Sequence, residues 1–436
     1  MRDFASSDSP AVQAQLDRLA ALTLPQGRFG LETIRELLHR LGNPERRIAP
    51  AFHVAGTNGK GSTCAYLRAM FEAEGLTVHS ATKPHLVRYN ERIRLAGELI
   101  SDAALAEVLD RVLNAGEDLG PSFFEVTTAA MFVAFAEVLA DVCVIEVGLG
   151  GRFDATNVLE SPAACGLATL GIDHEAFLLR EEAGTPAHPL ARIAFEKASI
   201  ARPGRPLVTQ GYPTLAADEV ARTAAAQGAT LVMRGRDWWA ERSDAGIAYR
   251  DALGELALPL PALPGAHQAD NAALAVAMLR HQDRVAVSPA AMARGIAEAR
   301  WPARLQLLGH GPLTALVPGR AVWLDGGHNL DAGAAIARHF AGQPPLHLVM
   351  GMLANKDPAA ILAPLAGHLR SVSIVPAPGH DAHAPADFAA HTALPVGAFG
   401  DVAEALRALP PEGDVLIAGS LYLAGEVLRL NLEFPD

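Results

Sequence analysis

The sequence predicts an α/β protein: a phosphate-loop-containing, mostly parallel sheet in a large N-terminal domain, then a smaller α/β, Rossmann-like C-terminal domain. Three observations predict it. Short apolar runs alternate with helical patterns along most of the chain, and strands that alternate with helices of such length pair in parallel and are covered on both faces. The first clear run, "AFHVA", leads straight into "GTNGKGS" and a helical pattern, the strand, glycine turn and helix start that an anion requires. The alternation pauses where turn residues cluster, at Trp301-Pro302 and Gly309 to Pro312, and then restarts. At 436 residues, chain length also favours two domains. We expect them at 1–300 and 312–436, with 301–311 as the linker.

The elements follow in order. From about residue 10 to 48, "AVQAQLDRLAAL" and "GLETIRELLHRLGNPERR" place apolar residues three and four apart and close at Gly-Asn-Pro, which predicts helix. "AFHVAG" predicts a strand, "GSTCAYLRAMFEAEG" and "SDAALAEVLDRVLNAGEDLG" helices, and "TTAAMFVAFAEVLA" a buried helix running into the strand "DVCVIEVG". Short strand-like pieces over 231–260 suggest a small antiparallel sheet attached to the first domain, and "HQADNAALAVAMLR" a helix. The second domain repeats the alternation, with "AVWLDGGHN", "LHLVMGM", "SVSIVPAP" and "DVLIAGS" as strands and "LYLAGEVLRL" as its last helix.

Composition excludes several classes. Half the residues are hydrophobic and 19% charged, ample apolar surface for packed cores and no signature of extended disorder. The balance of 36 basic against 48 acidic residues, net −12, argues against a general nucleic-acid or anionic-membrane binder. Cys64, Cys143 and Cys165 lack paired ligand spacing and read as packing residues of a reducing compartment. The N-terminus has no basic start followed by an apolar core, and no stretch approaches the ~18 apolar residues of a membrane span. A soluble cytoplasmic protein is expected.

Three strand ends carry chemistry. Gly56-Thr57-Asn58-Gly59-Lys60-Gly61-Ser62 offers backbone N–H groups at a helix start and a lysine for charge, although Val54 stands where the general pattern has its first glycine and Gly61 separates Lys60 from Ser62. "VCVIEVGLGGRFDATN" ends a strand in Glu146, where a carboxylate can reach a phosphate-bridging metal ion. "LGIDHEAF" brings Asp173-His174, with His174 either a ligand or a surface histidine. Taken singly, Glu146 would be a strand-capping acid; three such ends together are hard to explain as unrelated turns.

The series "HVAGTNGKGS", "PHLVRYNERIRLAGELIS", "FFEVTTAAMFVAF", "IEVGLGGRFDATN", "LGIDHEAFL", "FEKASI", "LPGAHQADNAALA", "LDGGHNLDA", "GMLANKD" and "AGSLYLAGEV" resembles the Mur ligase superfamily, and within it the bifunctional folylpolyglutamate synthase/dihydrofolate synthase family. The motifs run in order from residue 53 to 427, nearly the whole chain; Asn58 and "PHLVRYNERI" favour the folate branch over the cell-wall ligases. The resemblance implies an ATP-dependent ligase of folate biosynthesis and one-carbon metabolism, a monomer that takes dihydropteroate, folates, L-glutamate and ATP as small-molecule substrates, with neither nucleic acid nor membrane as partner. It further implies that Lys60 and the loop Gly56 to Ser62 hold the ATP phosphates, with Asn271, Arg304, Asp325 and His328 as further nucleotide contacts. Thr57, Ser62 and Glu146 would serve a first Mg2+ and His174 a second. Lys197 matches a lysine that is carbamylated in the family, and K+ is a further ion the resemblance brings. Arg92, Phe124, Ser420 and Tyr422 match substrate-binding positions.

Each of these residues has a plainer reading: Asn271 as a helix-start cap, Arg304 as a linker salt bridge, Ser420 and Tyr422 as packing, Phe123 and Phe124 as core. Two departures from the family pattern stand out. Lys83 precedes the proline of "PHL", where the family places a serine or threonine whose oxygen binds the first magnesium, and an ammonium cannot replace that oxygen. The stretch between His174 and Lys197 is longer than usual, and "REEAGTPAHP" is expected to form a surface loop. A muramyl-type amino-acid ligase and a silent nucleotide-binding regulator are the competing readings.

Overall fold

The structure, a computed structural model, describes residues 6–22 and 30–435. Residues 23–29, just ahead of the predicted helix in "GLETIRELLHRLGNPERR", therefore lie outside the described residues. The chain divides into two compact units: the first comprises the described residues up to Pro84, Arg88–Ala262 and Gln268–Ala299, the second His85–Val87, Leu263–His267 and Arg300 onward.

The first unit is built on strands β1 (Ala51–Ala55), β2 (Val78–Ala81), β3 (Arg94–Leu95), β4 (Glu98–Leu99), β5 (Val142–Glu146), β6 (Ala164–Leu167), β7 (Pro206–Thr209) and β8 (Thr230–Met233), in spatial order β4-β3-β2-β5-β1-β6-β7-β8. All neighbours pair in parallel except at β3 and β4. Its helices are α1 (Pro10–Ala21), α2 (Glu32–Arg40), α3 (Lys60–Glu74), α4 (Asp102–Gly116), α5 (Phe123–Glu137), α6 (Glu175–Leu178), α7 (Pro189–Ala198), α8 (Thr214–Ala226), α9 (His267–Arg280, in this unit from Gln268) and α10 (Pro289–Glu298). Strands β1 and β5 are buried along their whole length, which is why both read as unbroken apolar runs. Helix α5 is buried from Val126 to Phe135 and so lacks a polar face; its start is fixed by Ser122 Oγ accepting from Glu125 N–H (3.3 Å) while Glu125 accepts from Ser122 N–H (2.7 Å).

The expected small sheet is present as β9 (Trp238–Ser243), β10 (Gly246–Asp251) and β11 (Gly254–Leu258), all antiparallel. Arg280 at the end of α9 fastens it with a two-pronged grip on the buried Asp251 carboxylate, at 2.7 and 2.6 Å.

The second unit orders β12 (Gln306–Leu307), β13 (Val322–Leu324), β14 (Leu346–Met350), β15 (Leu369–Ile374), β16 (Val396–Ala398) and β17 (Val415–Ala418) as β12-β13-β17-β14-β15-β16, with only β12 antiparallel. Along β17, Val415 and Ile417 enter the cluster with α14 (Val402–Ala408) and α15 (Leu421–Leu430), while Leu416 and Ala418 enter the one with α11 (Leu330–Phe340), α12 (Ala359–Leu365) and α13 (Pro385–Ala389). Alternate residues thus cover the two faces of the sheet, as the pleat requires. The stretch expected as linker, 301–311, falls inside this unit, because Gln306 and Leu307 pair with Leu324 and Trp323 as an edge strand. Among the described residues no helix is long and apolar enough to cross a membrane.

Candidate active site

Parallel strands bring their carboxyl ends to one edge. In the first unit Val54 pairs with Glu146, Ala55 with Leu167 and Ala81 with Ile145, so the chain leaves β2, β5, β1 and β6 side by side. From β1 it enters Gly56 (φ 150°) and Gly59 (φ 84°) and then α3. Gly56 needs its missing side chain: a Cβ there would lie 2.9 Å from that of Ala168. The loop is braced by the exit of β6. Thr57 N–H donates to Thr169 O (2.7 Å), Thr57 Oγ1 donates to Gly171 O (2.8 Å) and accepts from Gly171 N–H (3.0 Å), and Thr169 Oγ1 donates to Asn58 O (3.0 Å). No side chain caps α3, so its first N–H groups face the loop mouth with their partial positive charge. Lys60 Nζ reaches back to Thr57 O (3.2 Å), and Ser62 is buried one turn in.

Around this loop stand the other strand-end groups. Glu146 is buried and accepts from the backbone N–H of Lys83 at 3.0 Å. Lys197, buried on α7, donates from Nζ to Gly56 O at 2.9 Å. Burial, then the nearby Lys60 cation, lowers its pKa from 10.5 to about 7. His174 holds a left-handed backbone (φ 54°), its N–H donating to Asp173 Oδ1 (2.7 Å), and its ring Nε2 lies 3.9 Å from the same carboxylate. Asn271 presses on the loop from α9: a Cβ on Gly59 would be 2.4 Å from its Oδ1, while its Nδ2 donates to Gln268 (3.1 Å). It sits inside the helix and is not the helix-start cap.

The donors at this edge suit a hard divalent cation held jointly with a phosphate. Glu146 and Ser62 offer oxygen atoms of the kind such a cation takes, and among the described residues no three His, Cys, Asp or Glu converge to bind an ion unaided. The Thr57 hydroxyl, donating to and accepting from Gly171, ties two loops. The Lys83 side chain runs over Gly148 beside Asp154, whose negative charge opposes the downward push of burial on the ammonium.

Arg92 is buried with its guanidinium over the Tyr89 and Phe123 rings, 4.9 and 5.3 Å from the centroids. Phe123 packs on the core, but Phe124 is 38% exposed and corrects the expectation of a core residue. The second unit gathers its candidates at the ends of β13 and β17. Asp325 accepts from Leu305 N–H (2.8 Å) and Gly327 N–H (2.7 Å); burial raises its pKa, with Arg304 opposing. Arg304 donates to Ala303 O, His328 Nδ1 lies 3.1 Å from Gly326 O, and Ser420 caps α15 by accepting from Tyr422 N–H (3.1 Å). The Tyr422 ring lies 3.8 Å from that of His380.

No family model matches the chain. It is, however, 34% identical over 425 residues to a folylpolyglutamate synthase of Lacticaseibacillus casei, covering 92% of this chain and 94% of the relative. The chain belongs to the folylpolyglutamate synthase/dihydrofolate synthase family. Solved structures of the family agree with it across both units: Escherichia coli FolC in complex with DHPP and ADP (31% identity, TM-score 0.85, 97% of each chain), and a bifunctional folylpolyglutamate synthase/dihydrofolate synthase with Mn, AMPPNP and L-glutamate bound (30% identity, TM-score 0.83, 98% of this chain and 99% of that one).

The structure also shows a residue at this edge that sequence reasoning missed. Asp154, buried against the glycine turn, accepts from the N–H groups of Gly148 (2.9 Å), Leu149 (2.9 Å) and Thr156 (3.0 Å). Its position within "GLGGRFDATN" was the available signal, since an aspartate in a glycine-rich turn readily collects backbone N–H groups. Cys64, Cys143 and Cys165 are all buried and free, with burial raising each thiol's pKa, as packing residues should be.

Proposed function

We propose that this chain joins L-glutamate to the carboxylate of dihydropteroate, of reduced folates, or of both, driven by ATP. A carboxylate is a poor electrophile, so the γ-phosphoryl group passes first to the pteroyl or folyl carboxylate; the resulting acyl phosphate is attacked by the glutamate amine, releasing phosphate and leaving an amide. The uncapped start of α3 beneath a braced glycine loop, with Lys60 at its mouth and Glu146 on the adjoining strand, carries this reading.

The chain's own groups have separable tasks. Loop amides and Lys60 position the phosphates and balance their charge. Glu146 and Ser62 are the residues that would hold a first magnesium ion and His174 a second; bound there, such ions would neutralise phosphate charge. Burial brings the Lys197 pKa down to about 7, which favours the unprotonated amine that addition of CO2 to form a carbamate requires. Asn271 fixes Gly59, while Arg304, Asp325 and His328 act on the nucleotide, and Arg92, Phe124, Ser420 and Tyr422 on the acceptor and amino acid. We read the enzyme as a cytoplasmic monomer.

The test is ADP release with magnesium and L-glutamate, comparing dihydropteroate, tetrahydrofolate and no acceptor, with product masses recorded. A glutamate-sized gain on dihydropteroate establishes the synthase step, and a gain on tetrahydrofolate the polyglutamylating one. No gain on either at saturating magnesium discards the folate substrate and leaves a muramyl-type ligase or a silent nucleotide binder.

A further inference from the structure

Beside the proposed site lies a closed ring of charge, two members buried and two half-buried, that the reaction as described does not use. Arg152 Nη2 meets Glu182 Oε2 and, at 3.1 Å, Glu196 Oε1; Arg192 Nη2 meets the same two carboxylates at 3.2 and 2.9 Å. Their side chains are only 18%, 23%, 5% and 6% exposed for Arg152, Glu182, Glu196 and Arg192. Three segments meet in the ring: the glycine turn after β5 through Arg152, the long connection from α6 to α7 through Glu182, and α7 itself through Arg192 and Glu196. Arg192 also donates from Nε to Leu178 O (3.1 Å), which holds the other end of that connection.

The ring reaches Lys197 by two short routes. Glu196 is its neighbour in sequence, and Glu196 O accepts from Arg152 N–H at 2.8 Å. Gly151 packs so closely on this helix end that a Cβ would stand 2.6 Å from Glu196 O and 3.0 Å from Lys197 Cα. Lys197 in turn donates to Gly56 O of the phosphate loop. Beside the connection a cavity of ≈ 400 Å³ opens, with Phe153, Phe177, Arg180, Glu182 and Arg192 in its lining.

We propose that Glu182 is a positioning residue: through Arg152 and Arg192 it fixes Lys197, and through Lys197 the phosphate loop. The proposal rests on the role given to Lys197 above. The connection between His174 and Lys197 is thus a strap anchored in the site's frame, and the expectation of a plain surface loop holds only for its exposed residues. Without Glu182 two desolvated guanidinium groups share one carboxylate, and the cheapest relief is for Arg152 to swing into the cavity and take the glycine turn with it.

The experiment compares Glu182→Ala, Glu182→Gln and Lys197→Ala in the full-length protein by steady-state kinetics, amide hydrogen exchange and urea unfolding. Expected for Glu182→Ala is a fall in kcat on the order of 10- to 100-fold, the loss that slight misplacement of a reacting group causes. The KM for ATP should stay within about threefold, while exchange quickens in 148–157 and 189–198. Glu182→Gln, which keeps an acceptor for the arginines, should recover part of kcat, and it becomes the deciding variant if the alanine protein does not fold. Turnover within about twofold of the parent in Glu182→Ala, or in Glu182→Gln where the alanine protein does not fold, with Lys197→Ala inactive, overturns the proposal; so does a lost kcat with unchanged exchange at 189–198. Full turnover in Lys197→Ala overturns the reading of Lys197 itself, whatever Glu182 does.

Discussion

His53 lies in the middle of β1 with no exposed surface, its Nε2 2.8 Å from Thr156 Oγ1 and its Nδ1 without a partner. Burial first, and the Arg202 cation next, lower its pKa from 6.5 to about 3. The sign follows from proton counting. Below about 6.5 the unfolded chain protonates this histidine while the folded chain does not, so the unfolded state binds more protons and stability falls as pH drops from 6.5 towards 3. The slope approaches roughly 1.4 kcal/mol per pH unit. Urea unfolding at pH 7, 6 and 5 should therefore show the parent losing stability faster than His53→Met, which has nothing to protonate there; parallel curves would remove His53 from the account. At this scale the sequence was legible where a residue's placement follows a local motif. Lys60, Glu146 and His174 each end a strand or open a helix, whereas Asp154, Glu182 and Arg192 work through partners that the fold alone brings together. Glu182 meets Arg152 across thirty residues of chain, and no local pattern specifies that.

At the level of elements, the glycine loop and α3 form a junction whose shape is set before anything binds. Gly59 combines φ 84° with a gap that Asn271 Oδ1 already fills, 2.4 Å from where a Cβ would go. Gly59→Ala faces both penalties, a left-handed backbone costing about 1–2 kcal/mol for a residue with a Cβ and a clash with a polar atom. We expect weaker nucleotide binding in equilibrium titrations. Asn271→Ala in the same chain should recover the part due to the clash and leave the part due to φ. Equal losses in the single and double variants would mean that contact with Asn271 has no bearing on the loop. The elements themselves were largely legible because period and length separate buried strands from helices. "TTAAMFVAFAEVLA" could be called a helix despite lacking a polar face, since it is too long for a strand. The 301–311 stretch misled for the opposite reason: its turn residues are real, but whether a short piece between turns joins a sheet edge depends on a partner strand, here β13, that comes later in the chain.

For the whole molecule, two units with their own hydrophobic clusters should respond differently to a nucleotide. The phosphate loop, Lys60, Glu146 and Lys197 all belong to the first unit, so a ligand that binds through them stabilises that unit's folded state directly. A ligand at 100 times its Kd contributes about 2.7 kcal/mol. Hydrogen exchange with a non-hydrolysable ATP analogue and magnesium should show slower opening of β1, β5 and α3, with the midpoint of thermal unfolding rising as ligand is added. Lys60→Ala removes the cation at the loop mouth but leaves the cores untouched, so it should retain the parent's unliganded midpoint and lose most of the ligand-induced rise. A rise of equal size in that variant would place the nucleotide somewhere other than this loop. A lowered unliganded midpoint would show instead that the bond from Lys60 to Thr57 O supports the fold.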